Sequence, residues 1–225
     1  MIEYFNEDCM VGMARYPDKY FDLAIVDPPY GIGAPKANIG ARRHKNASCD
    51  GKDWDSAIPT CEYFDELRRV SKEQIIWGSN YFNSFFGNRG AIVWDKVNPL
   101  PTSSRCEIAS YSKHQRVAYY RQVWTNYVNE KETQHPTEKP IALYKWLLTN
   151  YAKPGDKILD THVGSASSLI ACYDLGFDAV GFELDEDYYK ASKQRLKDHM
   201  AQMRIEDMSN HISGEDDKPE QITMW

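Results

Sequence analysis

Apolar residues along the chain fall into short runs, each closed by a turn residue or an acid, and the runs are separated by stretches with helical spacing. Short apolar runs bounded by turn signals read as buried strands, whereas a period near 3.6 reads as an amphipathic helix. On this basis Leu23-Ala24-Ile25-Val26, Gln74-Ile75-Ile76-Trp77 and Ala91-Ile92-Val93-Trp94 are strands. Glu107 to Tyr111 and Val117 to Trp124, rich in Tyr, Val and Trp, are shorter β pieces. The residues around Tyr4-Phe5 read as a first strand, followed by a short helix from Met10 to Arg15. Cys61 to Val70 is a helix with Tyr63 or Phe64, Leu67 and Val70 on one face. Pro140 is placed to open a second helix through Leu143, Leu147 and Tyr151, stopped by Lys153-Pro154-Gly155-Asp156.

The clearest strand–helix–strand unit comes late. Lys157-Ile158-Leu159-Asp160 is a strand and Thr161 to Ser168 a turn of small residues. Leu169 to Leu175 is a helix ended by Gly176, and Asp178 to Phe182 is the next strand, closing on Glu183. A small-residue turn lets the backbone approach a ligand, and an acid about 20 residues on, at the tip of the second strand, can accept from ribose hydroxyls. The pattern fits a nucleoside-containing cofactor. The lysine of a phosphate-binding loop is missing from it. Glu186 to Met203 is a long amphipathic helix, with Tyr189, Leu196, Met200 and Met203 on one stripe.

The first strand tip carries the most specific chemistry. Asp27-Pro28-Pro29-Tyr30 follows the run at 23–26 and is closed by Gly31. Two prolines fix φ twice and remove two N–H donors. What remains is a stiff loop presenting a carboxylate, a backbone carbonyl and an aromatic ring. Two acceptors beside a stacking face suit an exocyclic amino group on a flat heterocycle. As composition alone, the same residues are also a plain surface turn.

Charge changes the picture in two places. The net charge is −6, but residues 205–225 hold six acids against one lysine, leaving about −1 for residues 1–204. The body is therefore near neutral, and the acidic tail reads as disordered. Two stretches run the other way, 31–53 and 105–121, each with a balance of +3. Their basic residues Lys36, Arg42, Arg43, Lys45, Lys113, Arg116 and Arg121 are candidates for contact with a nucleic-acid backbone; solvated loop and exposed hairpin are the plainer readings of the same stretches. Five scattered cysteines without a C-x-x-C pair read as reduced thiols, neither a disulfide frame nor a metal site. The sequence has neither a signal-peptide pattern nor an apolar run long enough for a membrane span, so a cytoplasmic location is expected.

Three segments together resemble the DNA amino-methyltransferases: Asp27-Pro28-Pro29-Tyr30, His135-Pro136-Thr137-Glu138-Lys139-Pro140, and Asp160 to Ser168 with Phe182-Glu183-Leu184-Asp185. With the D-P-P-Y motif first and the cofactor segment last, the order is that of the β group; compact chains of this kind are often solitary or phage-derived. The resemblance covers roughly residues 1–200. It implies an α/β, Rossmann-like S-adenosylmethionine-dependent methyltransferase fold with a seven-stranded, mostly parallel sheet, one strand reversed, circularly permuted so that the strand near residue 4 pairs with the one at 179–182. One methyltransferase domain, 1–204, then contains a basic loop at 31–53 and a short target-recognition insert at 98–134, and the tail occupies 205–225.

The resemblance also implies S-adenosylmethionine as methyl donor, held by Asp8, Cys9, His135, Thr137, Lys139, Asp160, Thr161, Gly164, Ser165, Glu183 and Leu184. Its catalytic set is Asp27, Pro28, Pro29 and Tyr30, and its partner double-stranded DNA, with a homodimer common and neither metal nor membrane involved. The family commonly has Asp-Pro-Phe-x-Gly-Ser-Gly where this chain has Asp160-Thr161-His162-Val163-Gly164-Ser165-Ala166. The expected reaction is methylation of adenine N6 on a base flipped from the duplex, as in restriction–modification systems. Asp27 and the Pro28 carbonyl take the two amino hydrogens and Tyr30 stacks on the base. Cytosine N4 is the alternative target, and a DNA-binding module without turnover is the alternative from another class.

Overall fold

The computed structural model describes residues 1–33, 53, 55–82, 90–97, 104–113, 115–123 and 138–213, with side chains up to 205. Among the described residues eight strands form one sheet: β1 (Ile2–Asn6), β2 (Phe21–Val26), β3 (Ser71–Trp77), β4 (Gly90–Asp95), β5 (Cys106–Tyr111), β6 (Val117–Arg121), β7 (Lys157–Asp160) and β8 (Asp178–Glu183). Their spatial order is β1-β8-β7-β2-β3-β5-β4-β6. Only β5 runs against its neighbours. The sheet thus has one strand more than the seven expected, because Val117–Arg121 adds in parallel to β4 as an edge. The permuted pairing is present: β1 lies parallel to β8, with Tyr4 opposite Gly181 and Phe5 opposite Phe182.

Among the described residues five helices cover the sheet: α1 (Cys9–Met13), α2 (Cys61–Val70), α3 (Ile141–Tyr151), α4 (Ser167–Asp174) and α5 (Glu186–Ser213). A mostly parallel sheet is buried on both faces, so its strands are apolar throughout rather than alternating. Leu23, Ile25, Ile158 and Ala179 point to one core with α3 and α4, while Ala24, Val26, Leu159 and Val180 point to the other with α2. Several boundaries differ from the sequence reading, two of them at helices α3 and α5. Pro140 is the N-cap of α3 rather than its first residue, with ψ 142; an extended residue can still accept the first helical bond. Helix α5 continues to Ser213, past the expected domain end at 204. No helix is long and apolar enough to cross a membrane among the described residues.

The strand order fixes where a ligand can go. From β2 the chain crosses to α2 on one face, and from β7 to α4 on the other. Since β2 and β7 are neighbours, with Leu23 opposite Ile158, their outgoing loops part and leave a crevice at the carboxyl edge. Ligands of open α/β sheets bind at such a switch point.

Candidate active site

That crevice holds a cavity of about 590 Å³, inside the range of small-molecule sites. Asp27, Pro28, Pro29 and Tyr30 line it from the end of β2, Thr161, Gly164 and Ser165 from the end of β7, Glu183 and Leu184 from the end of β8, and Asp8 and Cys9 from the end of β1. Asp27 and Glu183, 156 positions apart in sequence, therefore share one space.

The loop after β2 is held by a residue the sequence reading did not single out. Asp55 is buried, and its Oδ1 accepts from the amides of Tyr30 at 2.6 Å and Gly31 at 2.8 Å. Tyr30 lies flat on Tyr81, with centroids 4.8 Å apart and planes at 13°, and meets Phe82 edge-on. Its hydroxyl donates to Asp27 Oδ1 at 2.5 Å, so the ring and the carboxylate fix each other. Burial pushes both the Asp27 carboxyl and the Tyr30 phenol up, and for Asp27 the Lys139 ammonium opposes the rise. We expect Asp55→Ala to cost about 1–3 kcal/mol, mostly from the stranded Tyr30 amide, and to slow any reaction at Asp27. Asp55→Asn keeps an acceptor oxygen and should stay near wild type; thermal unfolding and initial rates of the two variants check this.

The other wall is built for a nucleoside. Glu183 Oε2 accepts from the Gly164 amide and Oε1 from the Asp185 amide, both at 2.9 Å, which ties the tip of β8 to the small-residue turn. Burial raises its carboxyl. Asp160 does not line the cavity; it is buried beneath the turn, where it accepts from the His162 amide at 3.0 Å and from the Ser168 hydroxyl. Burial pushes its carboxyl up to about 7. It shapes the turn from beneath. Ala166 sits at φ 65, a conformation that favours glycine, and its methyl is buried in the core away from the cavity. His162 lines the cavity, and burial lowers its imidazole to about 4. Its Nδ1 meets Thr161 Oγ1 at 2.9 Å, which meets the Tyr63 hydroxyl at 2.6 Å. Tyr63, legible in sequence only as a helix-face residue, therefore braces the turn from α2. Arg195 of α5 braces it from the other side, donating to the Ser165 carbonyl at 2.7 Å while pairing with Glu138 at 2.7 Å.

The remaining candidates divide. Lys139 lines the cavity, but its ammonium rests on Asp27. Arg121 ends β6 at the cavity edge of the sheet, beside Asp95 and Arg105. Lys113 and Arg116 lie in the turn between β5 and β6, at the opposite edge, because β5 runs backwards. A strand's length of about 17–20 Å separates them from the cavity, so they do not belong to one surface with Arg121. Lys36, Arg42, Arg43, Lys45, His135 and Thr137 lie outside the described residues, as do most of the 31–53 loop and, of the 98–134 insert, residues 98–103, 114 and 124–134. Among the described residues no cluster of three metal-ligating side chains occurs.

Solved structures share this architecture. M1.HpyAVI, in a complex with SAM, superposes with a TM-score of 0.58 at 20% identity, over 87% of this chain and 100% of that one. PvuII DNA methyltransferase, described as cytosine-N4-specific, gives 0.57 at 11% identity over 88% and 90%. The sheet order and the switch-point cavity define the class: this is a Rossmann-like methyltransferase fold. The sequence narrows it. The DNA methylase family (N6_N4_Mtase) matches residues 91–194. The putative methylase YubD of Escherichia coli K12 is 27% identical over 216 residues, 87% of this chain and 90% of YubD. The Type II methyltransferase M2.DpnII of Streptococcus pneumoniae is 25% identical over 250 residues, 86% of this chain and 92% of that protein. The chain is thus similar to DNA methylases of this family and to Type II methyltransferases.

Proposed function

We propose that the protein moves a methyl group from S-adenosylmethionine to the N6 amino group of adenine in double-stranded DNA, on a base turned out of the duplex. One observation carries the reading: the Asp27 carboxylate and the Glu183 carboxylate open on the same cavity from the tips of β2 and β8, with β7 between them. The lining suits the donor molecule. Glu183 can take the ribose hydroxyls on lone pairs left over from its two amide bonds. Cys9, Val163 and Leu184 offer apolar walls for a purine, and burial holds the Cys9 thiol up at about 12, so it stays neutral. S-adenosylmethionine supplies a methyl group activated by its positive sulfur.

The protein's own part is orientation and charge placement. The lone pair of an aryl amine is delocalised into the ring, so the nitrogen is a weak nucleophile until its hydrogens are taken up. Asp27 has accepted one hydrogen bond on each oxygen, and a carboxylate has about four acceptor sites. Two remain to receive amino hydrogens, with the Pro28 carbonyl as a further acceptor. The Asp27 charge then stabilises positive charge forming on the nitrogen. Alignment alone can supply about 7–11 kcal/mol. Extrusion of the base costs a few kcal/mol, and backbone contacts offset that. Arg105 and Arg121 suit such contacts: their side chains are 67% and 60% exposed at the cavity edge, each held only loosely to Asp95, at 3.5 and 3.9 Å.

Sequencing that detects modified bases, applied to DNA from cells expressing the protein, tests the reading. N6-methyladenine in a short recurring motif is expected. N4-methylcytosine would move the target to the other amino base, and unmodified DNA would point to a binding module.

A further inference from the structure

The resemblance places Lys139 beside the cofactor; in the structure its ammonium lies against Asp27. It donates to Asp27 Oδ2, and it donates to the Tyr30 hydroxyl at 3.2 Å. On its far side lies Glu107 Oε2 at 3.0 Å, and Glu107 Oε1 in turn meets the Lys96 ammonium at 2.6 Å. Four charges of alternating sign, Asp27, Lys139, Glu107 and Lys96, thus run from the strand tip of β2 across to β4. Lys139 and Lys96 are 4% and 5% exposed. The Lys139 ammonium also lies over the Trp77 and Tyr30 rings, 5.4 and 5.7 Å from their centroids. Glu107 reaches this place because β5 is reversed: its first residues meet the last of β4, with Glu107 opposite Trp94.

We infer that Lys139 and Glu107 are a positioning pair for the Asp27 carboxylate, Lys139 fixing its orientation and charge and Glu107 restraining how strongly Lys139 does so. The inference rests on the proposed reaction and names residues that act through Asp27 rather than on the cofactor. A lone ammonium against Asp27 would hold it ionised but occupy its electron density, weakening it as an acceptor for an amino hydrogen. Glu107 draws the ammonium back. Its Oε2 is buried and makes no hydrogen bond of good geometry, so its effect is one of charge and not of a fixed contact. Lys139 and Lys96 keep Glu107 ionised, down at about 2, although burial favours its neutral form. At Asp27 the opposing signs are explicit: burial raises the carboxyl, Lys139 lowers it and Glu107 raises it. The other titratable groups around Asp27, namely Tyr30 on its own loop, Tyr63 on α2, Tyr144 on α3 and Asp160 on β7, are common to every variant below.

The two substitutions should therefore move Asp27 in opposite directions. In Lys139→Met the carboxylate loses its cation, so it protonates at higher pH. In Glu107→Gln the cation acts on Asp27 alone, so it protonates at lower pH. The experiment is a ¹³C NMR titration of the Asp27 carboxyl in the full-length protein, assigned with Asp27→Asn, together with single-turnover methylation of unmethylated genomic DNA from pH 5 to 9 and calorimetric titration with S-adenosylmethionine. We expect opposite shifts of the Asp27 midpoint, matching shifts of the acid limb of the rate, at least a tenfold loss of rate in Lys139→Met, and cofactor affinity within about threefold of wild type. Should Lys139→Met not fold, the downward shift in Glu107→Gln decides alone. Shifts in the same direction, or none, overturn the inference, as does a large loss of cofactor affinity with an unmoved rate, which would return Lys139 to the cofactor. A wild-type protein that methylates no DNA overturns the functional reading instead, and the carboxyl titration separates the two failures.

Discussion

Asp27→Ala should lower the methylation rate by about 10²–10³-fold, the range found when one preorganised group facing developing charge is deleted, while leaving the fold intact. The fold survives because the cation beneath Asp27 keeps a partner: Lys139 retains Glu107 at 3.0 Å. The loop keeps its anchor too, since Asp55 and not Asp27 holds the Tyr30 and Gly31 amides. Cofactor affinity should change little, as the nucleoside wall is built from β7 and β8. Single-turnover rates, thermal unfolding and calorimetry on the one variant separate these effects. Equal losses of rate and of cofactor affinity would mean that Asp27 serves binding and not the amino group.

Gly78→Ala should be nearly as damaging at a position with no reactive atom. Gly78 follows β3 at φ 71, and a methyl built there would lie 2.1 Å from Tyr30 Cε1, a separation atoms cannot adopt. The left-handed backbone costs an alanine about 1–2 kcal/mol, and Tyr30 has to leave its seat. Its neighbours offer no slack: Tyr81 stacks on the ring and Phe82 meets its edge. Displacing Tyr30 frees the Asp27 oxygen that its hydroxyl holds. We expect a rate loss of at least about tenfold with a Tm lower by about 4–8 °C, at roughly 2–4 °C per kcal/mol for a chain of this size. A normal rate in Gly78→Ala would show that the Tyr30 seat does not govern Asp27.

These two cases mark what the linear sequence carries. The D-P-P-Y segment is legible because its chemistry is local: a proline-stiffened acid and ring at the end of an apolar run. Strands were legible for the same reason, since burial on both faces demands continuous apolar runs, and each run from Leu23 to Phe182 joined the sheet. Glu107, Asp55, Gly78 and Arg195 were not legible. Each acts through a partner far along the chain, and nothing in its neighbours announces that partner. Glu107 reads as a polar residue in a strand until β5 is known to be reversed. That reversal also separates Lys113 and Arg116 from Arg121, which a count of basic residues had grouped together. The motif also singles out Asp160 but not its partners, Ser168 and the His162 amide. The helix end at 213 was missed because an acidic, weakly apolar segment has no stripe to extend.

The claim that the Asp27 tip and the Glu183 pocket serve one methyl transfer is tested most directly by nucleoside mass spectrometry of duplex DNA incubated with the purified protein and methyl-deuterated S-adenosylmethionine. The account predicts deuterated methyl on adenine N6 with the wild-type protein and about 10²–10³-fold less with Asp27→Ala. Label that appears on another base, or that persists undiminished in Asp27→Ala, would contradict it.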